Sequence, residues 1–418
     1  MRNQESIDFV RENREGDVRQ LALKGAQGKN VDIAWALDQI SGWQSACTKL
    51  PEWAAADGII YPPHLSMEQC SSEQTAKYKV KVVDGLRSPS NSPEGERSLI
   101  DLTGGFGVDF SYMARGFQKA VYVERNPELC EIARHNFPLL GLENAEIVCG
   151  DGVEYLKTIT PPPSPPEGGG HLIYLDPARR DIHGKKTYAI SDCTPDVVAL
   201  KDLLLEKANI VMVKLSPMLD WHKAVEELGE VQEVHIVSVD NECKELLLML
   251  RGASGKDQET RRTKVCCVNL LSRGGIEEFD FDNISLSSNH SSPLWEVRRG
   301  LYLYEPNASL MKAGCFDELA ERFGVNPIAP NSHLFVSESL KKDFPGRIFQ
   351  ITAVSSMNKK ALRENLQGIS KANIAVRNFP LSVAELRKRL KMADGGDIYL
   401  FATTTAEKEH LLLFSKKV

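Results

Sequence analysis

Four carboxylates and one glycine turn are spaced as a nucleoside site with a reacting group beside it would require. Asp101-Leu-Thr-Gly-Gly-Phe-Gly107 closes an apolar run on an acid and turns through Gly104, Gly105 and Gly107. Glycine lets a backbone turn sharply and approach a ligand with no Cβ in the way. A dinucleotide fingerprint would place another Gly or Ala at 110, where this chain has Phe110, so pyrophosphate recognition is not expected. Glu124 closes the next apolar run about 20 residues on, the separation expected of an acid that accepts from both hydroxyls of a ribose. A strand-end carboxylate facing water is the plainer reading. Asp151, in Val148-Cys-Gly-Asp-Gly152, can accept from an exocyclic amine or cap the helix that follows it, or do both.

Asp176-Pro-Ala-Arg-Arg180 ends a fourth apolar run. Ligands of open α/β sheets sit beyond the carboxyl ends of strands, so Asp176 and Pro177 are expected to face the reacting group. Proline has no N–H, leaving carbonyls that accept. Arg179 and Arg180 can grip a phosphate or stack on a base; pairing with Asp181 or Asp192 at the surface is the alternative. Lys214-Leu-Ser-Pro217 falls on the same rim. There Lys214, Ser216 and Pro217 can line an acceptor pocket, though a strand-to-helix turn explains them nearly as well.

Strand–helix alternation is what would hold these residues in place. Apolar runs at 98–102, 120–123, 145–149, 172–176, 210–214 and 233–239 read as strands. Helical patterns fit between them at 109–115, 127–137, 152–159, 195–206 and 219–228, which calls for a doubly wound parallel sheet. Segments 244–250 and 264–271 suit antiparallel closing strands, and a polar stretch from Ser272 to Ser292 follows. Residues before Leu86 carry apolar positions at three- and four-residue spacing, predicting a helical bundle. Within it, Ser71-Ser-Glu-Gln74 has the spacing of a capping box. The Ser/Pro/Gly-rich segment 86–95 and the insertion 161–170 read as loops. The C-terminal part is α+β. Its helix 383–391 is expected to carry Val383, Leu386 and Leu390 as an apolar stripe and Arg387 and Arg389 on a basic face, before strands at 398–402 and 410–414.

The formal net charge is −6 over 418 residues, unevenly spread. Residues 301–418 hold 17 Lys and Arg against 12 Asp and Glu, a net of +5, which leaves −11 for the rest. A basic C-terminal part suits a polyanion, or simply a solvated surface. Nine scattered cysteines without C-x-x-C pairs suit reduced thiols in a cytoplasm and argue against a zinc site. No metal is expected. No apolar run approaches the ~20 residues that cross a bilayer.

The set Asp-Leu-Thr-Gly-Gly-Phe-Gly, Tyr122-Val-Glu-Arg-Asn126, Gly-Asp-Gly and Asp-Pro-Ala-Arg-Arg resembles the bacterial class I methyltransferases that carry a C-terminal THUMP-like domain. Glu68-Gln-Cys-Ser-Ser72, Ser238-Val-Asp240 and Tyr302-Leu-Tyr-Glu-Pro306 are similar to segments of that family too. The resemblance implies a Rossmann-like seven-stranded sheet, S-adenosylmethionine as methyl donor, and an RNA base of tRNA or rRNA as acceptor. Alternatives are a small-molecule or protein acceptor, or a non-catalytic protein binding S-adenosylmethionine and RNA. Carried over, Asp101, Thr103, Gly104, Gly105, Phe106, Gly107, Glu124, Arg125, Asn126, Asp151 and Gly152 would surround the cofactor. Asp176, Pro177 and Arg179 would serve catalysis, and Arg180, Lys214, Ser216, Pro217, Arg387 and Arg389 would hold substrate. The implied domains are helical (1–92), methyltransferase (93–275), a ferredoxin-like connector (276–325) and THUMP-like (326–418). Two departures bear on the acceptor. Adenine-amine enzymes usually show Asn/Asp-Pro-Pro-aromatic where this chain has Ala178-Arg179, and pyrimidine C5 chemistry needs an activated cysteine, for which Cys193 has no activating neighbours in sequence.

Overall fold

The computed structural model describes residues 3–25, 30–85, 97–161, 170–178, 189–251, 262–283 and 296–418. Arg179, Arg180 and most of the 86–95 and 161–170 segments lie outside the described residues. Packing divides the chain into two units, Met1–Val234 with Glu245–Arg261, and His235–Lys244 with Arg262–Val418. Among the described residues no helix is long and apolar enough to cross a membrane.

The first unit opens with six helices: α1 (Gln4–Asn13), α2 (Val18–Lys24), α3 (Ile33–Lys49), α4 (Pro51–Ala55), α5 (His64–Gln69) and α6 (Glu73–Gly85). Asn3, Asp17 and Asp32 start the first three, each side chain accepting from a backbone N–H three residues on. Phe9, Ala36 and Ile40 form one small core. Trp53, Tyr61 and Met67 form another with Phe106, Val108 and Tyr112, so the helices cover the glycine turn. Ser71 does not cap α6 as its spacing suggested. Ser72 Oγ accepts from the Thr75 N–H at 3.3 Å, and Ser71 Oγ donates to Asp109 at 2.7 Å.

Strands and helices then alternate: β1 (Arg97–Asp101), α7 (Val108–Met113), β2 (Lys119–Glu124), α8 (Pro127–Leu139), β3 (Ala145–Cys149), α9 (Gly152–Thr158), β4 (Gly170–Leu175), α10 (Val197–Lys207), β5 (Ile210–Leu215), α11 (Trp221–Leu228) and β6 (Val231–Val239). β7 (Glu242–Leu250), β8 (Thr263–Leu270) and β9 (Ile276–Asn283) complete a sheet of order β3-β2-β1-β4-β5-β7-β6-β8-β9. The pairs β1–β2, β1–β4, β2–β3 and β4–β5 are parallel, and β7 runs antiparallel to β5. Asp240 and Asn241, both at positive φ (46° and 67°), make the two-residue turn between β6 and β7. The sheet has nine strands instead of the expected seven. The polar stretch after Ser272 conceals β9, where Phe279 is buried against an otherwise acidic strand that pairs antiparallel with β8. Its alternation of acids and aromatics is that of a half-buried strand.

The second unit adds a sheet of its own from β10 (Tyr302–Pro306), β11 (Asn326–Pro327), β12 (Phe335–Ser337), β13 (Gly346–Ser356), β14 (Asn373–Arg377), β15 (Tyr399–Thr404) and β16 (His410–Lys417), in the order β11-β12-β10-β13-β16-β15-β14. Helices α12 (Ala308–Ala313), α13 (Phe316–Phe323), α14 (Lys359–Asn365) and α15 (Val383–Leu390) accompany it. Period-two alternation gives the sheet two cores: Phe401 and Leu413 join Phe349 and Ile351, whereas Leu400, Leu412 and Phe414 join Leu386 and Leu390 of α15. Val383, expected in the apolar stripe, is 37% exposed. It lies in the first turn, beyond the packed Leu386–Leu390 pair.

Candidate active site

The glycine turn joins β1 to α7, with Gly104 N–H donating to the Val123 carbonyl at 2.9 Å. A Cβ on Gly104 would stand 2.2 Å from Tyr122 Cε2, so the loop lies flat on the Tyr122 ring, whose hydroxyl donates to the Gly105 carbonyl. Gly107 starts α7 at φ 83°, in the left-handed region that side chains avoid. Phe110 is buried and stacks on Phe137 at 5.2 Å. Asp101, 1% exposed, accepts from the Thr103 N–H at 2.9 Å, and burial pushes its carboxyl well above the usual range. Thr103 Oγ accepts from the Asp176 N–H at 2.7 Å, tying the ends of β1 and β4 together.

Glu124 braces the turn from behind. One carboxylate oxygen accepts from Gly105 N–H at 2.8 Å and the other from Asn126 N–H at 2.7 Å. A carboxylate has about four acceptor sites, so this arrangement fixes the group while leaving capacity for a pair of hydroxyls. The cleft in front of the turn has a volume of about 200 Å³. Its walls include Asp101, Gly105 and Asp176 from the sheet side and Ser66, Gln69 and Cys70 from the helices. Cys70 donates to the Met67 carbonyl at 3.3 Å, and burial raises its thiol pKa.

The floor of the cleft is a network of charges. Lys214 Nζ lies 2.6 Å from Asp176 Oδ2, 3.6 Å from Asp109 Oδ2 and 3.2 Å from Ser71 Oγ. Asp109 also accepts from the Tyr174 hydroxyl at 2.7 Å and faces Lys79 Nζ at 3.1 Å. Lys79 is wholly buried and reaches Glu245 at 2.6 Å. Although burial opposes its charge, the cations Lys79 and Lys214 hold the Asp109 carboxyl well below the usual range. Asp176 and Asp109 in turn raise the Lys214 pKa against the opposing effect of burial, so its ammonium is secure. Asp109, Ser71, Lys79, Tyr174 and Glu245 join this network without any motif in the sequence that singles them out for it. A signal was present for Lys79, which falls three residues after Ala76 on the buried stripe of α6.

Other expected residues sit differently. Asp151 caps α9, accepting from Val153 and Glu154 N–H at 2.8 and 3.1 Å, and neither it, Gly152 nor Glu124 is among the described residues lining the cleft. Asn126 spends its side chain on capping α8, and Arg125 is exposed. Phe106 packs on Trp53 at 4.7 Å. Pro177 is buried, and Ala178 pairs with Thr194. Cys193 is 3% exposed and donates to the Ala189 carbonyl at 3.8 Å, far from a solvent-facing nucleophile. Ser216 and Pro217 form the turn after β5, where Ser216 Oγ accepts from the Met218 N–H at 3.2 Å. In the second unit Arg387 pairs with Asp394 at 2.7 Å, while Arg389 on the same helix is exposed. Among the described residues no group of His, Cys, Asp or Glu is placed to hold a metal ion.

Residues 302–345 match a ferredoxin-like domain family and residues 346–416 a THUMP domain-like family. A crystal structure of a Porphyromonas gingivalis W83 protein classed as a methyltransferase is 33% identical, with a TM-score of 0.82, covering 100% of this chain and 99% of that one. An uncharacterized S-adenosylmethionine-dependent methyltransferase of Mycobacterium tuberculosis is 21% identical over 332 residues, 78% of this chain and 80% of its relative. The donor set described above fits that cofactor: a doubly anchored carboxylate suits a ribose diol, and a turn free of side chains at Gly104, Gly105 and Gly107 admits the rest. The chain belongs to the S-adenosylmethionine-dependent methyltransferases that carry C-terminal ferredoxin-like and THUMP-like domains.

Proposed function

We propose that the protein methylates RNA, a tRNA or rRNA, in the cleft beyond β1, β4 and β5. The observation that carries the RNA half is the THUMP domain-like match over 346–416. The net charge of +5 over residues 301–418 agrees with it. Glu124 holds the ribose hydroxyls of the cofactor, and the turn Asp101–Gly107 wraps the remainder. Asp151, besides capping α9, accepts from the adenine amine. S-adenosylmethionine supplies a methyl group already activated on sulfonium sulfur, so the protein's task is alignment and proton removal. Asp176 accepts the acceptor's proton, and the Pro177 carbonyl orients the acceptor. Arg389, with Arg387 freed from Asp394, binds backbone phosphates, and Arg179 and Arg180 hold substrate in the methyltransferase unit.

Labelled S-adenosylmethionine, incubated with the full chain and an extract of cells lacking it, tests the assignment once the products are separated into RNA, protein and small molecules. Label is expected in RNA and lost after ribonuclease treatment of the extract. Label confined to protein or small molecules overturns it.

A further inference from the structure

Glu305, in β10 of the second unit, is an acid with almost no access to water, its side chain being 2% exposed. Arg347 stands directly across from it on β13. Both its Nε and its Nη2 donate to one Glu305 oxygen, the first at 2.7 Å. Arg377 Nη2 donates to the other oxygen at 2.8 Å. Charge-assisted bonds of this kind are strong and fix the geometry of both partners.

Arg377 belongs to β14, four places from β10 in the sheet order. Four strand spacings would hold the two strands about 19 Å apart in a flat sheet, so the sheet curls enough to bring Arg377 back to Glu305. The three side chains share one face of it. Glu305 follows Leu303 by two positions, Arg347 precedes Phe349 by two and Arg377 follows Ala375 by two, and those three apolar residues pack in one core. A single arginine would neutralise Glu305. The second leaves the cluster a net charge of +1, whereas on α15 Arg387 is balanced one to one by Asp394.

Both guanidiniums stay partly open, Arg347 being 39% and Arg377 34% exposed. A guanidinium carries five N–H donors. Among the described residues Arg347 spends two on Glu305, and Arg377 spends one on Glu305 and one on the Val376 carbonyl at 3.3 Å. Donors therefore remain for a ligand on the exposed side of each. Glu305 holds both side chains in place in advance, so little rotamer freedom is left to lose when an anion binds.

We propose that Arg347 and Arg377 form a phosphate site that holds one phosphodiester of an RNA backbone, with Glu305 as the residue that positions them. The proposal rests on the RNA reading above and adds a second site to it. Phosphate oxygens accept from planar guanidinium forks, and the net positive charge of the cluster balances the single negative charge of a diester. Such a contact fixes where the strand lies without reading its bases.

The test measures retention of total RNA, from cells lacking the protein, by the full chain over a series of salt concentrations. Arg347→Gln removes one charge but leaves Glu305 bonded to Arg377, so no buried acid is stranded. It is expected to weaken binding about tenfold and to flatten the slope of log affinity against log salt by about 0.7–0.9, the worth of one phosphate contact. Arg347→Lys is expected to restore the slope, because the charge returns. Parent-like affinity and slope in Arg347→Gln, or a slope that stays flat with Lys, overturns the site and leaves the RNA reading standing. A parent protein that retains no RNA overturns both.

A second measurement needs no variant. Phenylglyoxal labels accessible guanidiniums, and peptide mass spectrometry reads each arginine separately. In the parent protein, bound RNA is expected to lower labelling at Arg347 and Arg377 several-fold, and inorganic phosphate at the same phosphate concentration is expected to leave it unchanged. Labelling that RNA does not lower, or that inorganic phosphate lowers equally, overturns the assignment to an RNA phosphate.

Discussion

Replacing Lys79 with Met should cost about 3–5 kcal/mol of unfolding free energy, the range for removing one partner of a buried ion pair. Lys79 is wholly buried and stands 2.6 Å from Glu245 and 3.1 Å from Asp109. Without it, two carboxylates remain in a low-dielectric interior with Lys214 as their nearest described cation, and the desolvation of Glu245 is no longer offset. Burial already raises the Glu245 pKa even with Lys79 beside it. Methionine follows the lysine stem among Ala76, Val82 and Val83, so packing itself changes little. The double variant Lys79→Met with Glu245→Leu should lose less than the single one, because no stranded charge remains at that pair. Urea denaturation monitored by circular dichroism reads both. A single-variant loss below about 1 kcal/mol, the ordinary scale of an exposed pair, would mean that the pair does not bear charge in the folded protein.

Asp176→Asn should lower the rate of methyl transfer by about 100- to 10,000-fold, the usual worth of a positioned proton acceptor. Asparagine is isosteric with aspartate. Its amide oxygen can still accept from Lys214, and the backbone N–H at 176 still donates to Thr103 Oγ. What disappears is the capacity to take a proton. Single-turnover measurement on a fixed RNA preparation separates this loss from slow product release. A rate within fivefold of the parent would remove Asp176 from the chemistry and return it to a role in closing the end of β4.

Strands β1, β2 and β4 were readable because each is an apolar run buried on both faces that leads into a polar residue at the sheet's rim, Asp101, Glu124 and Asp176. β9 was not, since a strand with one wet face reads Glu-Glu-Phe-Asp-Phe-Asp and resembles a loop in composition. The glycine turn was visible in one segment, but the network beneath it was not. Ser71 and Asp109 are 38 residues apart, and Lys79 and Glu245 are 166 apart. No local pattern joins such positions; the fold does, by setting α6 against α7 and by inserting β7 beside β5. Ser71 was misread for the same reason. A serine three residues before a glutamine satisfies the local rule, yet a buried carboxylate on another helix is the stronger partner for its hydroxyl. Arg387 looked free on a basic face because Asp394, seven residues on, returns to it only after the helix has ended.

Calorimetric titration of S-adenosylmethionine into the parent protein and into Glu124→Ala bears most directly on the assignment of this cleft to the methyl donor. A carboxylate accepting from the ribose hydroxyls would contribute charge-assisted hydrogen bonds worth roughly 1.5–3 kcal/mol each, so on the proposed placement the variant should bind on the order of 100-fold more weakly. Glu124→Gln should fall between the two, because an amide can still accept from one of the Gly105 and Asn126 N–H groups that hold the carboxylate. Unchanged affinity in Glu124→Ala, in a variant that unfolds at the same urea concentration as the parent, would contradict the placement of the cofactor ribose at the end of β2.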